Sequence, residues 1–373
     1  MISSTVCITE YEGFIAAWLD KNNSMEMLSI TDKERDTTGD IYVGRVKHVV
    51  KNLNACFVEF KEDTLGFLSF NDIYPAQKIT EGTLIPVQII KEASKNKEAV
   101  LTSKLSLAGD YCVLINDAAN INVSRKISGS LRNELKEMLS DHKDLCITIR
   151  TNAAGADPSL IQDEVNVLSK KLLSILETAK TRNGGSLIYK SEPEYLKFIK
   201  SLPKESYERI LTDIEEVCDT ISFDKPCQFY NDDYPLSKLY SLETKIEEIS
   251  KKDVWLRSGG NIVIEHTEAM TVIDVNTAKN VARKDKDGFI LSVNKEAAKE
   301  IARQVRLRNI SGIIIVDFIN MHSKEDIDEL TEYVKELIKV DAVRFDYVDM
   351  TKLGLMELVR RKIKPPIYEI LGK

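Results

Sequence analysis

Apolar and polar positions alternate in short runs over residues 4–103, a pattern typical of β-strands separated by turns. Residues 4–35 predict a hairpin or meander around the turn Tyr11-Glu12-Gly13. Five further strands are predicted in quick succession, at 41–50, 55–60, 66–70, 84–91 and 99–102. Strands of this number and length favour a small five-stranded β-barrel of the OB type.

The same alternation sorts the aromatic residues of two barrel strands. In residues 55–60 the inner face takes Cys56 and Val58, which leaves Phe57 on the outer face. The rule also turns Phe67 outward in the next strand. Bases of single-stranded nucleic acid stack on such rings for about 1–3 kcal/mol each. The alternative is that both rings pack under a neighbouring domain.

Farther along the chain, apolar residues recur at the helical period. Asp157 and Pro158 form a helix-start signal, and a long amphipathic helix is predicted from there to about residue 183. Its inward stripe comprises Ile161, Val165, Leu168, Leu172 and Ile175. A second helical region is predicted at 194–221, and a loop or linker at 223–235.

The C-terminal third combines a hairpin, a helix and a strand. Strands are predicted at 261–267, 270–276 and 313–316, and a helix at 293–308. Alternation places Asp274 and Asn276 on one face of the second hairpin strand. The order of strand, helix and strand favours a crossover that sets two strands side by side. Asp274 and Asp317, 43 residues apart, can then meet at the same end of one sheet.

Both aspartates end apolar runs, so we expect them to be buried. An ionised carboxylate in apolar surroundings is costly unless it is paired or binds a metal. Two carboxylates with a neighbouring amide suit Mg²⁺, which takes one or two carboxylates, keeps several waters and bridges to a phosphate. The alternative is a structural pair satisfied by backbone donors and by arginines such as Arg303 or Arg306.

Composition sets bounds on these predictions. The chain has 373 residues, 43% hydrophobic and 30% charged, which predicts a globular protein of two or three domains. A net charge of −7 requires any nucleic-acid site to be local. No run approaches a membrane span and the N-terminus lacks a signal-peptide pattern, so we expect a cytoplasmic protein. Six cysteines without Cys-x-x-Cys predict free core thiols.

Several longer motifs occur together along the chain. They are Gly-Gly-Asn-Ile-Val-Ile-Glu-His-Thr-Glu-Ala-Met-Thr-Val-Ile-Asp-Val-Asn at 259–276, Glu-Ile-Ala-Arg-Gln-Val-Arg-Leu-Arg at 300–308 and Gly-Ile-Ile-Ile-Val-Asp-Phe-Ile-Asn-Met at 312–321. Shorter ones are Asp-Ile-Tyr-Val-Gly-Arg-Val at 40–46, Ser-Leu-Ala-Gly at 106–109, Ser-Arg-Lys-Ile at 124–127 and Ile-Arg-Thr at 149–151. Together they resemble the catalytic region of the ribonuclease E and ribonuclease G family over nearly the whole chain.

The resemblance implies an α+β multidomain fold. An RNase H-like scaffold would combine residues 1–35 with residues 186–255. It would carry an inserted OB-fold domain at 36–105 and a 5′-sensor region at 106–185. A DNase I-like α/β catalytic domain would follow at 256–364, with a C-terminal tail at 365–373.

The resemblance also assigns roles to matching positions. The family's metal ligands fall on Asp274 and Asp317, and its contact to the scissile phosphate falls on Asn276. Its RNA-stacking aromatics fall on Phe57 and Phe67, with Lys97 as the accompanying cation. Its pocket for a 5′-monophosphate falls on Gly109, Val113, Arg150 and Thr151.

The implied activity is that of a Mg²⁺-dependent endoribonuclease, with Mn²⁺ as a substitute metal. It would cut single-stranded RNA by metal-activated water, leave a 5′-phosphate and a 3′-hydroxyl, and favour substrates that carry a 5′-monophosphate. Two alternatives stay open, a relative that binds RNA without cutting it and an endonuclease that uses the same metal on DNA.

One departure from the family concerns zinc. Family members continue into a Cys-Pro-x-Cys motif that shares zinc between subunits of a tetramer, whereas this sequence ends at Lys373 without that motif. We therefore expect no zinc and no zinc-linked tetramer, while a homo-oligomer held by other surfaces stays open.

Overall fold

The computed structural model describes residues 4–33, 37–93, 97–124, 126–127, 129–142, 145–221, 226–277 and 286–372. Strands β1 to β13 span Ser4–Tyr11, Phe14–Lys21, Ser24–Asp32, Ile41–Val50, Ala55–Lys61, Thr64–Ser69, Leu84–Lys91, Ala99–Thr102, Ser106–Ala108, Cys112–Ile115, Asn120–Val123, Cys146–Ile149 and Leu187–Tyr189. Strands β14 to β21 span Arg209–Thr212, Cys227–Phe229, Asp253–Trp255, Asn261–His266, Met270–Asn276, Gly312–Asp317, Phe345–Met350 and Leu355–Arg360.

Helices α1 to α9 span Ser130–Met138, Pro158–Thr181, Glu194–Ser201, Glu215–Thr220, Leu236–Leu239, Leu242–Ser250, Lys286–Leu307, Lys324–Lys339 and Ile367–Leu371. Short 3₁₀ helices span Lys51–Leu53, Phe70–Asp72, Thr151–Gly155 and Lys204–Ser206. The chain forms two compact units, one from Arg35–Pro193 and one that joins Met1–Glu34 to Glu194–Lys373.

The unit formed by Arg35–Pro193 contains a closed five-stranded barrel. Its strands are hydrogen-bonded in the order β4-β5-β6-β8-β7, and β4 pairs again with β7 to close the ring. Apolar side chains from every barrel strand fill the interior, among them Val46, Val58, Leu68, Val87 and Leu101. The five predicted strands are confirmed, and burial alternates with the period of two along β5 and β6.

A second sheet of this unit has the order β11-β12-β10-β9. Helix α2 packs on it through Ile161 and Val165, and Asp157 caps the helix by accepting a hydrogen bond of 2.8 Å from the Ser159 N–H. The predicted amphipathic helix is therefore confirmed. Gln88 ties the sheet to the barrel, because its side-chain amide exchanges hydrogen bonds with the backbone of Ser106.

In the other unit, the first sheet has the order β15-β14-β1-β2-β3. Strand β1 pairs in parallel with β14, which places Thr5 opposite Arg209, and antiparallel with β2. Val6 and Ile8 pack toward α3 on one face, while Cys7 packs toward α6 on the other. Burial on both faces makes β1 the centre of this sheet.

The single helical region predicted at 194–221 is wrong. Helix α3 ends at Ser201, and β14 enters the sheet at Arg209–Thr212 before α4 begins at Glu215. Pairing of β14 between β1 and β15 outweighs the helical spacing of apolar residues in this segment, because tertiary context commonly overrides such weak local preferences. Residues 223–225 of the predicted loop lie outside the described residues.

The second sheet of the same unit has the order β16-β17-β18-β19-β21-β20. Strands β18 and β19 are parallel, and the connection between them includes α7, as predicted for a crossover. Helices α7 and α8 pack on one face through Val293, Ala297, Ile301, Leu330 and Val334. The opposite face of β18 and β19 is more accessible to solvent.

The cysteines divide into two groups. Cys7, Cys56, Cys112 and Cys146 are buried, whereas Cys218 and Cys227 are partly exposed, with their Sγ atoms 2.7 Å apart. The prediction of free thiols is confirmed for all six. The predicted core position is confirmed for the four buried cysteines, and Cys227 packs against a core cluster as a partly buried residue. Within the described ranges, no helix is both long enough and apolar enough to cross a membrane.

Candidate functional site

The register of β18 and β19 brings the two aspartates together. Asp274 and Asp317 are direct Cα partners across the parallel pair. Neighbouring strands lie about 4.8 Å apart, and partners in register project from the same face of the sheet. The two carboxylates therefore stand side by side at the carboxyl ends of their strands, as the crossover predicted.

The expectation that both aspartates are buried is wrong. Asp317 is exposed and Asp274 is half-buried. Both strands bury only alternate residues, and Ile313, on the face of Asp317, is 48% exposed. The reason is that α7 and α8 cover the same face of the sheet, so a continuous apolar run need not be buried on both sides.

Asn276 lies on the same face as Asp274, two residues along the strand. Its Nδ2 donates a hydrogen bond of 2.7 Å to Oδ2 of Asp274. Gly260, the residue before the facing strand β17, lies against the backbone of Asn276: a Cβ added there would lie 2.6 Å from the Asn276 carbonyl oxygen. The predicted grouping of Asp274 with Asn276 is therefore present, and Gly260 is a supporting residue that the motif alone did not identify.

Asn294 holds the segment that follows Asp317. This fully buried side chain on α7 donates from Nδ2 to the Ile319 carbonyl at 2.8 Å and accepts from the Ile319 N–H at 3.0 Å. Both hydrogen bonds act on the backbone two residues beyond Asp317. An asparagine within the buried stripe of a helix, next to Val293 and near Ala297, was the sequence signal for this role.

Within the described ranges, neither aspartate has the arginine partner that the structural alternative required. Arg303 instead forms two hydrogen bonds with Glu300 and donates to the Met25 carbonyl at 2.6 Å. Burial lowers the pKa of Arg306, and Asp341 and Glu26 are the acidic groups that oppose this shift. Among the described residues, no side chain donates a hydrogen bond to Asp317.

The donor set near the aspartates is small. No group of three or more His, Cys, Asp or Glu side chains that could hold a metal ion occurs within the described parts of the chain. Two adjacent carboxylates still suit a hard divalent cation that keeps several water or phosphate ligands. The open side of the sheet leaves room for those further ligands.

In the barrel, Phe57 and Phe67 are cross-strand partners on the outer face. Their ring centroids are 6.0 Å apart in an edge-to-face arrangement, and both side chains are half-buried. The register continues the row on both sides, to the exposed His48 on β4 and to Val100 on β8. His48 is therefore a further candidate for contact with RNA. The sequence did not indicate this role, because no motif surrounds this histidine. Lys97 is exposed in the connection between β7 and β8.

The residues matched to the 5′-phosphate pocket gather around β10 and β12. Arg150 donates from Nη1 to the Gly109 carbonyl at 2.5 Å, and its N–H donates to the Tyr111 carbonyl at 2.7 Å. The Thr151 and Ser124 hydroxyl oxygens are 2.9 Å apart. Val113 lies in β10, opposite Ala108 and Thr148. Arg125, from the motif beginning at Ser124, lies outside the described residues.

Glu164 organises the loop between Gly109 and β10. Its carboxylate accepts hydrogen bonds from the N–H groups of Asp110, Tyr111 and Cys112 at 2.7, 2.8 and 2.9 Å. A Cβ added at Gly109 would lie 2.3 to 2.6 Å from the Glu164 carboxyl group. Three successive backbone donors therefore hold one side-chain anion, an arrangement found in anion-binding nests. In the sequence, the indication of this role was an acidic residue between the inward-facing Ile161 and Val165 of the predicted helix.

Comparison with known proteins matches this chain to members of one family. The profile of the family described as Ribonuclease E/G family matches residues 106–363. Ribonuclease E of Nostoc sp. is 32% identical over 385 residues, 96% of this chain and 56% of the relative. Ribonuclease E of Haemophilus influenzae is 30% identical over 389 residues, 97% of this chain and 42% of the relative.

A shorter relative aligns over more of its own length. Ribonuclease G of Salmonella typhimurium is 27% identical over 385 residues, 95% of this chain and 79% of the relative. The chain spans about half the length of the two ribonuclease E proteins, 56% of one and 42% of the other.

Proposed function

This chain belongs to the ribonuclease E/G family, and from that premise we propose that it is a metal-dependent endoribonuclease acting on single-stranded RNA. The observation that carries the proposal is the pairing of Asp274 with Asp317 in register on an accessible sheet face. Neither carboxylate is needed to hold the sheet together, because the pairing of β18 with β19 is a backbone interaction.

Asp274 and Asp317 fit a site for Mg²⁺, or for Mn²⁺ in its place. One or two carboxylates are the usual protein share of a magnesium site, and the substrate phosphate and water supply the rest. A bound divalent ion would polarise the phosphate, lower the pKa of the attacking water and offset charge on the leaving oxygen. The roles of Asp274 and Asp317 are to hold that ion and fix its position on the sheet.

Asn276 is proposed to orient the scissile phosphate. An asparagine amide has two N–H donors, and one is engaged by Asp274. The second can donate to a non-bridging phosphate oxygen beside the carboxylates. Water then forms the new bond to phosphorus, the bond from phosphorus to the 3′ oxygen breaks, and that oxygen leaves with a proton. The products are a 5′-phosphate and a 3′-hydroxyl.

Phe57 and Phe67 are proposed as stacking platforms for RNA bases, with Lys97 as a nearby phosphate contact. The rings are partly accessible and lie beside one another on the outer barrel face, as stacking of successive bases requires. The net charge of −7 makes a local surface of this kind necessary, because the molecule as a whole does not attract RNA.

Gly109, Val113, Arg150 and Thr151 are proposed to form a pocket that favours a 5′-monophosphate. A guanidinium and a hydroxyl group are suited to a terminal phosphate. The support here is the hydrogen bond between Arg150 and Gly109, which already brings two of the four residues together.

At the level of architecture, we propose that the sheet built on β1 and β14 is the RNase H-like scaffold. The sheet built on β18 and β19 would be the DNase I-like catalytic domain, and the barrel the inserted OB domain. The support is that β1 to β3 share a sheet with β14 and β15, although residues 35–193 separate them in the chain. We also propose that each domain begins and ends at the residues that the family resemblance implies.

The decisive test is the Asp274→Asn substitution, assayed on a single-stranded oligoribonucleotide in Mg²⁺. We expect the cleavage rate to fall by about a hundredfold or more, the range for loss of a group that stabilises transition-state charge. Because Asp274 is not fully buried, the free energy of unfolding should change by no more than about 0.5 kcal/mol.

A matched control makes the same chemical change elsewhere. Glu336→Gln removes a largely exposed carboxylate from α8, which packs on the opposite face of the sheet, and should cleave at the wild-type rate. Full activity of Asp274→Asn would contradict the proposal. Binding of RNA without product in either Mg²⁺ or Mn²⁺ would instead identify a non-catalytic RNA-binding relative.

A further inference from the structure

A cavity lies in the same unit as the two aspartates, at the other end of the sheet. Its volume is about 560 Å³, within the range of roughly 300–1,000 Å³ typical of small-molecule sites. Its walls include Lys252, Glu265, His266, Thr267, Arg308 and Tyr368. We call it the Arg308 cavity. His266 pairs with Thr271 near the start of β18, roughly 10 Å along the strand from Asp274.

Arg308 is the unusual feature of this cavity. The side chain is only 4% exposed, and its Nε donates to Oε1 of Gln304 at 2.8 Å. Its Nη2 is buried and has no hydrogen-bond partner. Across the described residues, no carboxylate forms an ion pair with it. A buried guanidinium without a counter-charge is costly to desolvate, and a bound anion would offset that cost.

Arg360 shows what the same chain does with a buried arginine that serves structure. It is also 4% exposed, but it binds both carboxylate oxygens of Asp341, at 2.8 and 3.3 Å. Its Nη1 also donates to the Asn309 side chain and to the Ile310 carbonyl. A structural arginine here is therefore satisfied within the fold, and Arg308 is not.

Arg308 keeps its charge at neutral pH. Burial lowers its pKa to about 10, an effect that Glu300 opposes and Arg303 reinforces. A pKa near 10 still leaves the guanidinium protonated at pH 7. The cavity therefore presents a fixed positive charge.

The other walls of the Arg308 cavity contribute two adjacent rings and the polar side chain of His266. The His266 and Tyr368 rings face one another with centroids 4.9 Å apart and planes inclined by 32°. His266 uses Nδ1 for a 3.1 Å contact with the Thr271 hydroxyl, and its Nε2 has no hydrogen-bond partner among the described residues. Lys252 and Glu265 pair with each other, so their charges offset.

We propose that the Arg308 cavity binds the phosphate group of a small ligand, with Arg308 as the counter-charge and the His266–Tyr368 pair as an aromatic wall. A guanidinium has five N–H donors in a planar fork suited to phosphate oxygens. The site is separate from the proposed cleavage site, and its occupation requires no metal.

The test is thermal unfolding of the full chain in EDTA, at constant ionic strength set with chloride. Inorganic phosphate, sulfate, a nucleoside monophosphate and a 5′-hydroxyl oligoribonucleotide are compared as probes. A ligand that binds only the folded state raises Tm. We expect phosphate and the nucleoside monophosphate each to raise it by at least about 2 °C.

Arg308→Gln supplies the specific variant. Because the substitution removes an unpaired buried charge, we expect its Tm without phosphate to equal or exceed that of wild type, and the phosphate-dependent rise to vanish. Arg360→Gln is the matched control, since it breaks a satisfied buried pair. It should lower Tm and retain the rise with phosphate.

A measurement on the wild-type protein keeps the proposal testable if a variant fails to fold. Burial, followed by Arg308, lowers the pKa of His266, and Glu369 opposes this. A phosphate bound beside Arg308 should raise the pKa of His266, observed by NMR among the chain's four histidines.

An equal rise in Tm for wild type and Arg308→Gln would overturn the proposal. A rise with the oligoribonucleotide alone would assign Arg308 to the RNA backbone instead. Neither result depends on cleavage.

Discussion

At the residue scale, Asp274 and Asp317 differ in what already surrounds them. Asp274 accepts a hydrogen bond from Asn276, whereas no described side chain donates to Asp317. Asp274 is therefore held in place by a residue of its own strand, whereas Asp317 is available to a ligand. Alternation predicted the first relation correctly, because side chains two residues apart in a strand share a face.

Replacing Gly109 by alanine should destabilise the fold. In Gly109→Ala, the new Cβ would collide with the Glu164 carboxyl group, which caps three backbone N–H groups. Displacing that cap leaves partly buried donors without partners, so we expect the free energy of unfolding to fall by about 1–3 kcal/mol, measured by urea denaturation.

Gly155→Ala is the control for that measurement. A Cβ at Gly155 meets nothing within 4 Å, and the substitution should change stability by no more than about 0.5 kcal/mol. Equal stability of both variants would show that Glu164 moves aside without cost.

At the scale of elements, α7 links the core to the loop after β19. Its buried apolar stripe packs on the sheet, and Asn294 within that stripe holds both backbone groups of Ile319. The same helix thus connects β18 to β19 and fixes the segment beyond Asp317. The helix was predicted from its periodicity, but this contact depends on where the chain returns after β19.

Asn294→Ala tests that connection. We expect a loss of about 1–3 kcal/mol of stability because the Ile319 N–H and carbonyl lose their partners. We also expect cleavage to need a higher Mg²⁺ concentration, because Asp317 is less well positioned. The measurement is the Mg²⁺ concentration that gives half-maximal rate.

Val334→Ala is the matched control, since it removes packing from the same core without touching the loop. It should lower stability while leaving the Mg²⁺ requirement unchanged. If Asn294→Ala also keeps the wild-type requirement, Asn294 has a purely structural role.

At the scale of the whole molecule, the proposed functions are divided between two compact units. The stacking rings and the 5′-phosphate residues belong to Arg35–Pro193, and the two aspartates belong to the other unit. The family matches confirm the resemblance that the motifs indicated. Chemistry and end preference should therefore be separable by substitution.

We predict that the wild-type chain cleaves 5′-monophosphorylated RNA faster than the same RNA with a 5′-hydroxyl, by about 10- to 100-fold. That ratio corresponds to one charge-assisted hydrogen bond. In Arg150→Gln the ratio should fall toward one, mainly through a lower rate on the monophosphorylated substrate. Initial cleavage rates on the two RNAs measure it.

Lys136→Gln is the control, because it removes one positive charge from an exposed position of α1 in the same unit. Its ratio should match that of wild type. A ratio near one in the wild-type protein would exclude 5′-end preference and leave the proposed cleavage chemistry intact.

The sequence by itself determined the local pattern: the barrel strands, the α2 stripe, the outward Phe57 and Phe67, and the grouping of Asp274 with Asn276. These follow from periodicity, which needs only neighbouring residues. Tertiary structure decided the exposure of Asp317, the strand at 209–212 and the unpaired charge of Arg308. The reason is that burial and pairing depend on which distant segments pack together, and such contacts leave no period in the chain.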